Sequence, residues 1–449
     1  MKRKTIFYFI NIFLYIPFVI VAQDTNYVRN IIRTLSSPEM HGRWIANQGD
    51  SIAANFIRNE MITHGIPPIG TDYYQSFGVL GYAMEKAPFL AIDNQTLTLY
   101  EDYRIPFSTP NMEGDFPIIQ GDLALLDYDR DNFHTPDPLW KKYQKKYGKK
   151  LTNAFICFDL RNLSKLDKEK YARITHNLEA LQWQETHRYK VKGFLLLTEN
   201  MPTFGVGYIG KPLFSVIYVD AKSINQTPKQ IQLQFSNEIK QHLTQNVCGW
   251  VRGTSEPDSF LVFTAHYDHL GRLGEDYYFP GAHDNASGTA LVLDLARYYQ
   301  QNPHRYTTVF LLFTGEEAGL LGSTFFTENP KIPLKKIIQV VNFDLSCGGD
   351  EGLMLTNGKS DENQHFSSIL EEINNEKKYV QKLNYRNNVP NSDHYPFTTY
   401  GVPAIFVYTI GGFYANVHHA SDTCNACHLT QYPSIFNLFK DAFSYIKSK

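Results

Sequence analysis

A short run of strand-forming residues that ends in histidine and aspartate, then gives way to a helix, frames the whole chain. It is Leu261 to Gly288, LVFTAHYDHLGRLGEDYYFPGAHDNASG, which carries three histidines and four acidic residues. Leu261, Val262 and Phe263 form a continuous apolar run, the pattern of a strand buried on both faces, with His266 and Asp268 where that strand should end. After Asp284 the period changes: Ala290, Leu293, Leu295, Ala296 and Tyr299 fit an amphipathic helix, which puts Asp284 in the loop before it. In open α/β sheets, ligands bind at that edge of the strands. Imidazole and carboxylate are the non-thiol groups that borderline zinc prefers, and the two oxygens of one aspartate can serve two ions. His266-Tyr-Asp268 alone reads as well as a solvated loop.

The same alternation continues to the C-terminus. Apolar strands are predicted at Ser259 to Thr264, Thr308 to Phe313, Ile337 to Phe343, Leu353 to Thr356 and Val402 to Tyr408, with helices between them. The fold class is therefore α/β, a mainly parallel sheet with helices on both faces. Near the start, Val28, Ile31, Ile32 and Leu35 mark one helix, and Ile52, Ala53, Phe56, Ile57 and Met61 a second that stops near Gly65.

From 96 to 240 the texture changes to short pieces broken by Asp, Asn and Pro. Strands are predicted around Phe155 to Phe158, Phe194 to Leu197 and Phe214 to Tyr218, with a helix from Lys168 to about Glu185. This segment reads as a smaller inserted domain, leaving 23–95 and 241–449 as the main domain. Gly205-Val-Gly207-Tyr-Ile-Gly210 matches the dinucleotide glycine pattern, but Pro212 and another strand-like run follow where a helix would be required, so it reads as coincidence.

At 449 residues and 43% hydrophobic, the chain has ample material for a core. A net charge of -2 offers no footprint for nucleic acid. Lys2, Arg3 and Lys4, an apolar run over 6–21, and Ala22 have the layout of a secretory signal peptide spanning 1–22, which implies a secreted or periplasmic protein without stable membrane insertion; the alternative is an uncleaved membrane anchor. Five cysteines leave at least one unpaired. Cys424-Asn-Ala-Cys427 reads as a small disulfide or as two free thiols.

Three more strand ends carry carboxylate or imidazole. Thr314-Gly315-Glu316-Glu317 follows Val309 to Phe313, and its two carboxylates either open a helix, favoured by the helix dipole, or divide into a metal ligand and a group facing the metal's water. Asp344 follows Asn342-Phe343 as a cap or a ligand, and His418 and His419 follow the strand Val402 to Tyr408. The topology rule brings all four strand ends to one edge, and that convergence gives each its weight.

With AHYDHLG at 265–271, GAHDNASG at 281–288, TGEEAGLLGS at 314–323, NFDL at 342–345, SDHYPF at 392–397, GVPAIF at 401–406 and HHASDT at 418–423, the sequence resembles the zinc-dependent aminopeptidases with a co-catalytic metal pair. That family includes glutamate carboxypeptidases and, as a divergent branch, glutaminyl-peptide cyclases. Gly42-Arg43 and Tyr74-Gln75-Ser76-Phe77 resemble residues that such enzymes carry. The resemblance implies two zinc ions per chain bridged by Asp284, with His266 and Asp344 completing one site and Glu317 and His418 the other. It further implies Glu316 as general base, Asp268 orienting His266, peptide substrates, and a protease-associated-like insert. Asp393 and His394 lie in a family motif without an assigned role. The expected reaction is removal of N-terminal residues. A carboxypeptidase, a cyclase or an inactive binding protein on the same scaffold are the alternatives. Neither an HExxH helix nor a G-x-S-x-G elbow occurs.

Overall fold

The computed structural model describes residues 24–84, 86–128, 138–181, 191–203, 214–275, 277–412 and 417–446. The N-terminal apolar run and the glycine pattern at 205–210 lie outside them. No helix of the described residues is long and apolar enough to cross a membrane.

Two eight-stranded sheets organise the chain. In the first, the strands run in the order Tyr74–Ala83, Glu238–Val251, Tyr306–Phe313, Glu256–His266, Ile337–Phe343, Ala404–Ile410, Gly352–Thr356, Leu383–Arg386. Its four middle strands, from Tyr306–Phe313 to Ala404–Ile410, are mutually parallel. The flanks bring in antiparallel pairs, so the sheet is mainly but not wholly parallel: Glu238–Val251 pairs antiparallel on both sides, and Gly352–Thr356 runs antiparallel to Ala404–Ile410 but parallel to Leu383–Arg386. Connection length explains the difference. A parallel return needs a crossover of about a dozen residues or more, and the links 252–255 and 344–351 are too short for one, so each reverses the chain.

Alternate residues of the buried strands feed two cores. Leu261, Phe263 and Ala265 face the helices Thr25–Leu35, Gly49–Thr63, Ser287–Gln301, Gln364–Lys377 and Tyr432–Tyr445. Phe260 and Val262 face the short helices Leu321–Glu328 and His394–Thr399 through Phe326 and Phe397. Phe263 is fully buried and stacks on Phe443 at 4.4 Å. Burial of one such ring contributes about 1.5–3 kcal/mol, so the last helix is tied firmly to the centre of the sheet.

The second sheet is drawn from residues 89–235. Phe155–Asp159, Gly193–Thr198 and Ser215–Asp220 lie close to their predicted positions, as does the helix Lys168–Leu181. The sheet starts at Phe89 rather than at 96, because Phe89–Ile92 turns back through Asp93 and Asn94, both at positive φ, and pairs with Gln230–Phe235. One face packs on its own helices through Trp140 and Ile174. Its other face shares a core with Trp44, Phe77, Leu270 and Phe279, so this sheet leans on loops that carry the functional residues.

Cys427 is bonded to Cys347, 80 residues away in sequence, and not to Cys424. The cross-link joins the loop after Ile337–Phe343 to the segment after His418. Closing a loop of that length restricts the unfolded chain by about 4.5 kcal/mol.

Asp50, buried in the first turn of Gly49–Thr63, accepts a hydrogen bond from Thr244 Oγ1 at 2.5 Å. Burial, only partly offset by that bond, pushes its carboxyl from 3.8 up to about 6. The folded state thus holds this proton more tightly than the unfolded chain does. Its contribution is fully present below about 3.8 and is lost as the pH rises through about 6, a change of about 3 kcal/mol. Asp50→Asn cannot ionise, so its stability relative to the parent should climb by that order between pH 4 and pH 8 in urea unfolding. A difference independent of pH would refute this.

Candidate metal centre

All the functional side chains stand at one edge of the first sheet, where parallel strands end. His266 is the last residue of Glu256–His266, and Asp344 follows Ile337–Phe343 directly. Asp284 lies in an irregular turn just before the helix Ser287–Gln301. Glu316 and Glu317 occupy a tight turn after Tyr306–Phe313. The next helix begins only at Leu321, so they do not open it and the helix-dipole explanation falls away.

The geometry centres on Asp284. Its Oδ1 lies 3.3 Å from His266 Nε2, and its Oδ2 lies 3.0 Å from His418 Nε2. His266 Nε2 is also 3.3 Å from Asp344 Oδ1, and His418 Nε2 is 3.3 Å from Glu317 Oε2. Each Nε2 therefore faces two carboxylate oxygens at once. A single N–H cannot satisfy two anions equally, whereas a cation among the three atoms can. His266 Nδ1 faces the Asp268 carbonyl at 3.2 Å, which fixes the proton there and leaves Nε2 a lone pair for a metal. The donor set of neutral imidazole and carboxylate with no thiolate fits zinc.

Charge supports the same fit. Burial alone would raise Asp284, yet its bonds to His266 and His418 hold it well below the usual carboxylate range. Burial likewise acts against Glu317, and the charge of His418 brings it down to about 2. The two histidines respond in the opposite sense. Against their burial, Asp344 raises His266 and Glu317 raises His418 well above the imidazole norm. The cluster thus recruits positive charge wherever it can. Half-buried Glu316 is driven well upward by desolvation, and its ligand atoms lie within 4.8 Å of those of His266 and Asp344.

His269, Asp422 and Ser392 were not given roles from the sequence, and Asp268 and Asp393 gain partners that it did not show. Buried His269 bonds through Nδ1 to Glu317 Oε1 at 2.7 Å and joins Glu317 and Asp284 in a second group within 4.8 Å. It lies inside the quoted AHYDHLG motif, so its place was visible but its partner was not. Asp422 accepts the backbone N–H of His283 at 2.7 Å and of Asp284 at 3.1 Å, pinning the turn. Ser392 donates to Asp344 Oδ2 at 2.8 Å, and Asp393 accepts from Ser323 at 2.5 Å. The Asp268 carboxylate accepts the N–H groups of Glu316 and Glu317 at 3.2 and 3.3 Å, while its nearest oxygen is 3.6 Å from His266 Nδ1. Asp268 therefore positions the glutamate turn as well as the imidazole.

Beneath the cluster lies Arg43, fully buried. It donates to the carbonyls of Leu35, Tyr267, Pro280, Gly281 and Asp284 at 2.6–3.2 Å. One guanidinium thus gathers the backbone that follows His266 and the backbone of the Asp284 turn. Gly281, at φ +57°, is required here. A Cβ would meet Asp284 O at 2.2 Å and Arg43 Nη2 at 2.6 Å.

Fold and site together define an α/β protein with a buried carboxylate–imidazole cluster suited to zinc. Residues 246–442 match the family model described as Peptidase family M28. The resemblance read from the motifs holds. A probable zinc metalloprotease of Leptosphaeria maculans is 37% identical over 111 residues, covering 24% of this chain and 26% of the relative. Aminopeptidase YwaD of Bacillus subtilis is 31% identical over 159 residues, 34% of this chain and 32% of its own. The match spans about a quarter of the length of the first of these curated relatives. A peptidase M28 precursor from Shewanella amazonensis superposes with a TM-score of 0.68 at 18% identity, over 95% of this chain and 96% of its own, and shows the fold.

Proposed function

We propose that the protein is an exported metallopeptidase that hydrolyses N-terminal residues from peptides with two zinc ions. The observation that carries this reading is the shared carboxylate: Asp284 turns one oxygen toward His266 and the other toward His418, at 3.3 and 3.0 Å. Asp344 and Glu317 complete a set on either side.

Zinc held there would supply an acidified water and a polarised scissile carbonyl. The chain's own residues do the rest. Glu316, held by the Asp268 carboxylate through its backbone N–H, takes the proton of the attacking water on a carboxylate oxygen and returns it to the leaving amine. Asp268 orients His266, and Ser392 orients Asp344. The name of one relative, aminopeptidase YwaD, supports the aminopeptidase direction, and the segment that holds the second sheet, residues 89–235, is read as a protease-associated-like insert.

The test is zinc content of the purified protein together with amino acid release from a panel of aminoacyl anilides. Two ions per chain and anilide hydrolysis are expected. Cleavage confined to C-terminal residues, or cyclisation of a glutaminyl peptide with one ion, would replace this reading.

A further inference from the structure

His418 sits at φ +59°, in the left-handed region that non-glycine residues leave unless their surroundings hold them. Its neighbour His419 shows what does the holding. Nδ1 of His419 accepts the Ser421 backbone N–H at 3.1 Å, and the ring is hydrogen-bonded to the Tyr100 backbone. The ring also meets that of Tyr100 edge-on, at 6.3 Å between centroids.

Tyr100 comes from the second sheet. It occupies the bend between Gln95–Thr96 and Tyr103–Arg104, itself at φ +67°, and is buried. The bend is stiff: Tyr100 N–H donates to Tyr103 O at 2.7 Å, and Asp102 N–H donates to Thr98 O at 2.8 Å. The ring stacks on Tyr277 at 5.1 Å and stands edge-on to Phe279 at 5.0 Å. Phe279 in turn meets His269, the partner of Glu317, at 6.4 Å. Aromatic contacts therefore run unbroken from the second sheet to both sides of the His418 set.

We propose that Tyr100 and His419 form a clamp through which the second sheet positions ligand His418, making that sheet part of one metal set and not of the other. His266 and Asp344 are delivered by strands of the first sheet, so their set does not depend on the clamp. The proposal rests on the two-zinc reading, and its test separates the two.

The metal-free full-length chain is titrated with zinc alone. The parent should take up two ions; fewer would count against the two-zinc reading itself. In His419→Ala one ion should bind as in the parent and the other roughly tenfold to a hundredfold more weakly, the usual cost of losing a group that orients a ligand. His419→Gln, which restores a donor toward Tyr100, should recover most of that loss. Excess zinc should restore kcat without changing KM. Two ions bound to His419→Ala as tightly as to the parent would overturn the clamp. Should that variant not fold, Tyr100→Ala removes the ring that His419 meets edge-on while keeping the backbone acceptor; weaker binding of the same single ion is expected, and two ions bound as tightly as in the parent would overturn the clamp.

Discussion

Glu316→Gln should retain its zinc and lose roughly a hundredfold to ten-thousandfold in kcat, the range attributed to a positioned general base. The amide has the shape of the carboxylate but cannot accept a proton. The turn that presents it is held from outside, by the Asp268 carboxylate on the backbone N–H groups of Glu316 and Glu317, so the substitution leaves its position unchanged. Metal content separates this role from the rival one. Glu316 lies within ligand range of His266 and Asp344, and if it were a ligand the variant would lose an ion along with its activity. Hydrolysis near the parental rate would remove Glu316 from the mechanism altogether.

Asp284→Ala should lose both ions. Either oxygen serves a different imidazole, so this is the position whose removal opens both sets, whereas Asp344→Ala and His418→Ala each open one. The loss of affinity should exceed the roughly tenfold to hundredfold typical of groups that merely orient a ligand. Thermal unfolding gives an independent readout. An ion at a hundred times its Kd stabilises the native state by about 2.7 kcal/mol, so the zinc-dependent rise in Tm expected of the parent should vanish in Asp284→Ala. A variant that still gains stability from zinc to the parental extent would contradict the shared-ligand arrangement.

The parts of this architecture legible in the sequence are those whose physics is local. Val309 to Phe313 and Ile337 to Phe343 are buried on both faces and read as unbroken apolar runs. Once those strands are parallel, the residues at their ends gather at one edge, whereas the division of those residues into two metal sets came from the family resemblance. Strands with a solvated face left a weaker trace: Met112–Gln120 contains Glu113, Asp115 and Pro117, and Glu238–Val251 starts among polar residues. The Cys424–Cys427 spacing suggested a local bridge, whereas the true partner, Cys347, is identified only when two loops meet. Arg43 is the extreme case. All five of its acceptors are backbone carbonyls, and a carbonyl has no letter in a sequence. His269 and Asp422 were hidden for a similar reason, since their roles are defined by a glutamate and two amides far along the chain.

The bond between Cys347 and Cys427 links the stretch after Asp344 to the stretch after His418, residues that belong to opposite sides of the cluster around Asp284. Sulfur can close over that gap only once both stretches have reached their final register. The cross-link is thus a covalent record of assembly: a chain that has acquired it has brought together the two stretches that flank Asp344 and His418, and such a bond persists in an oxidising compartment.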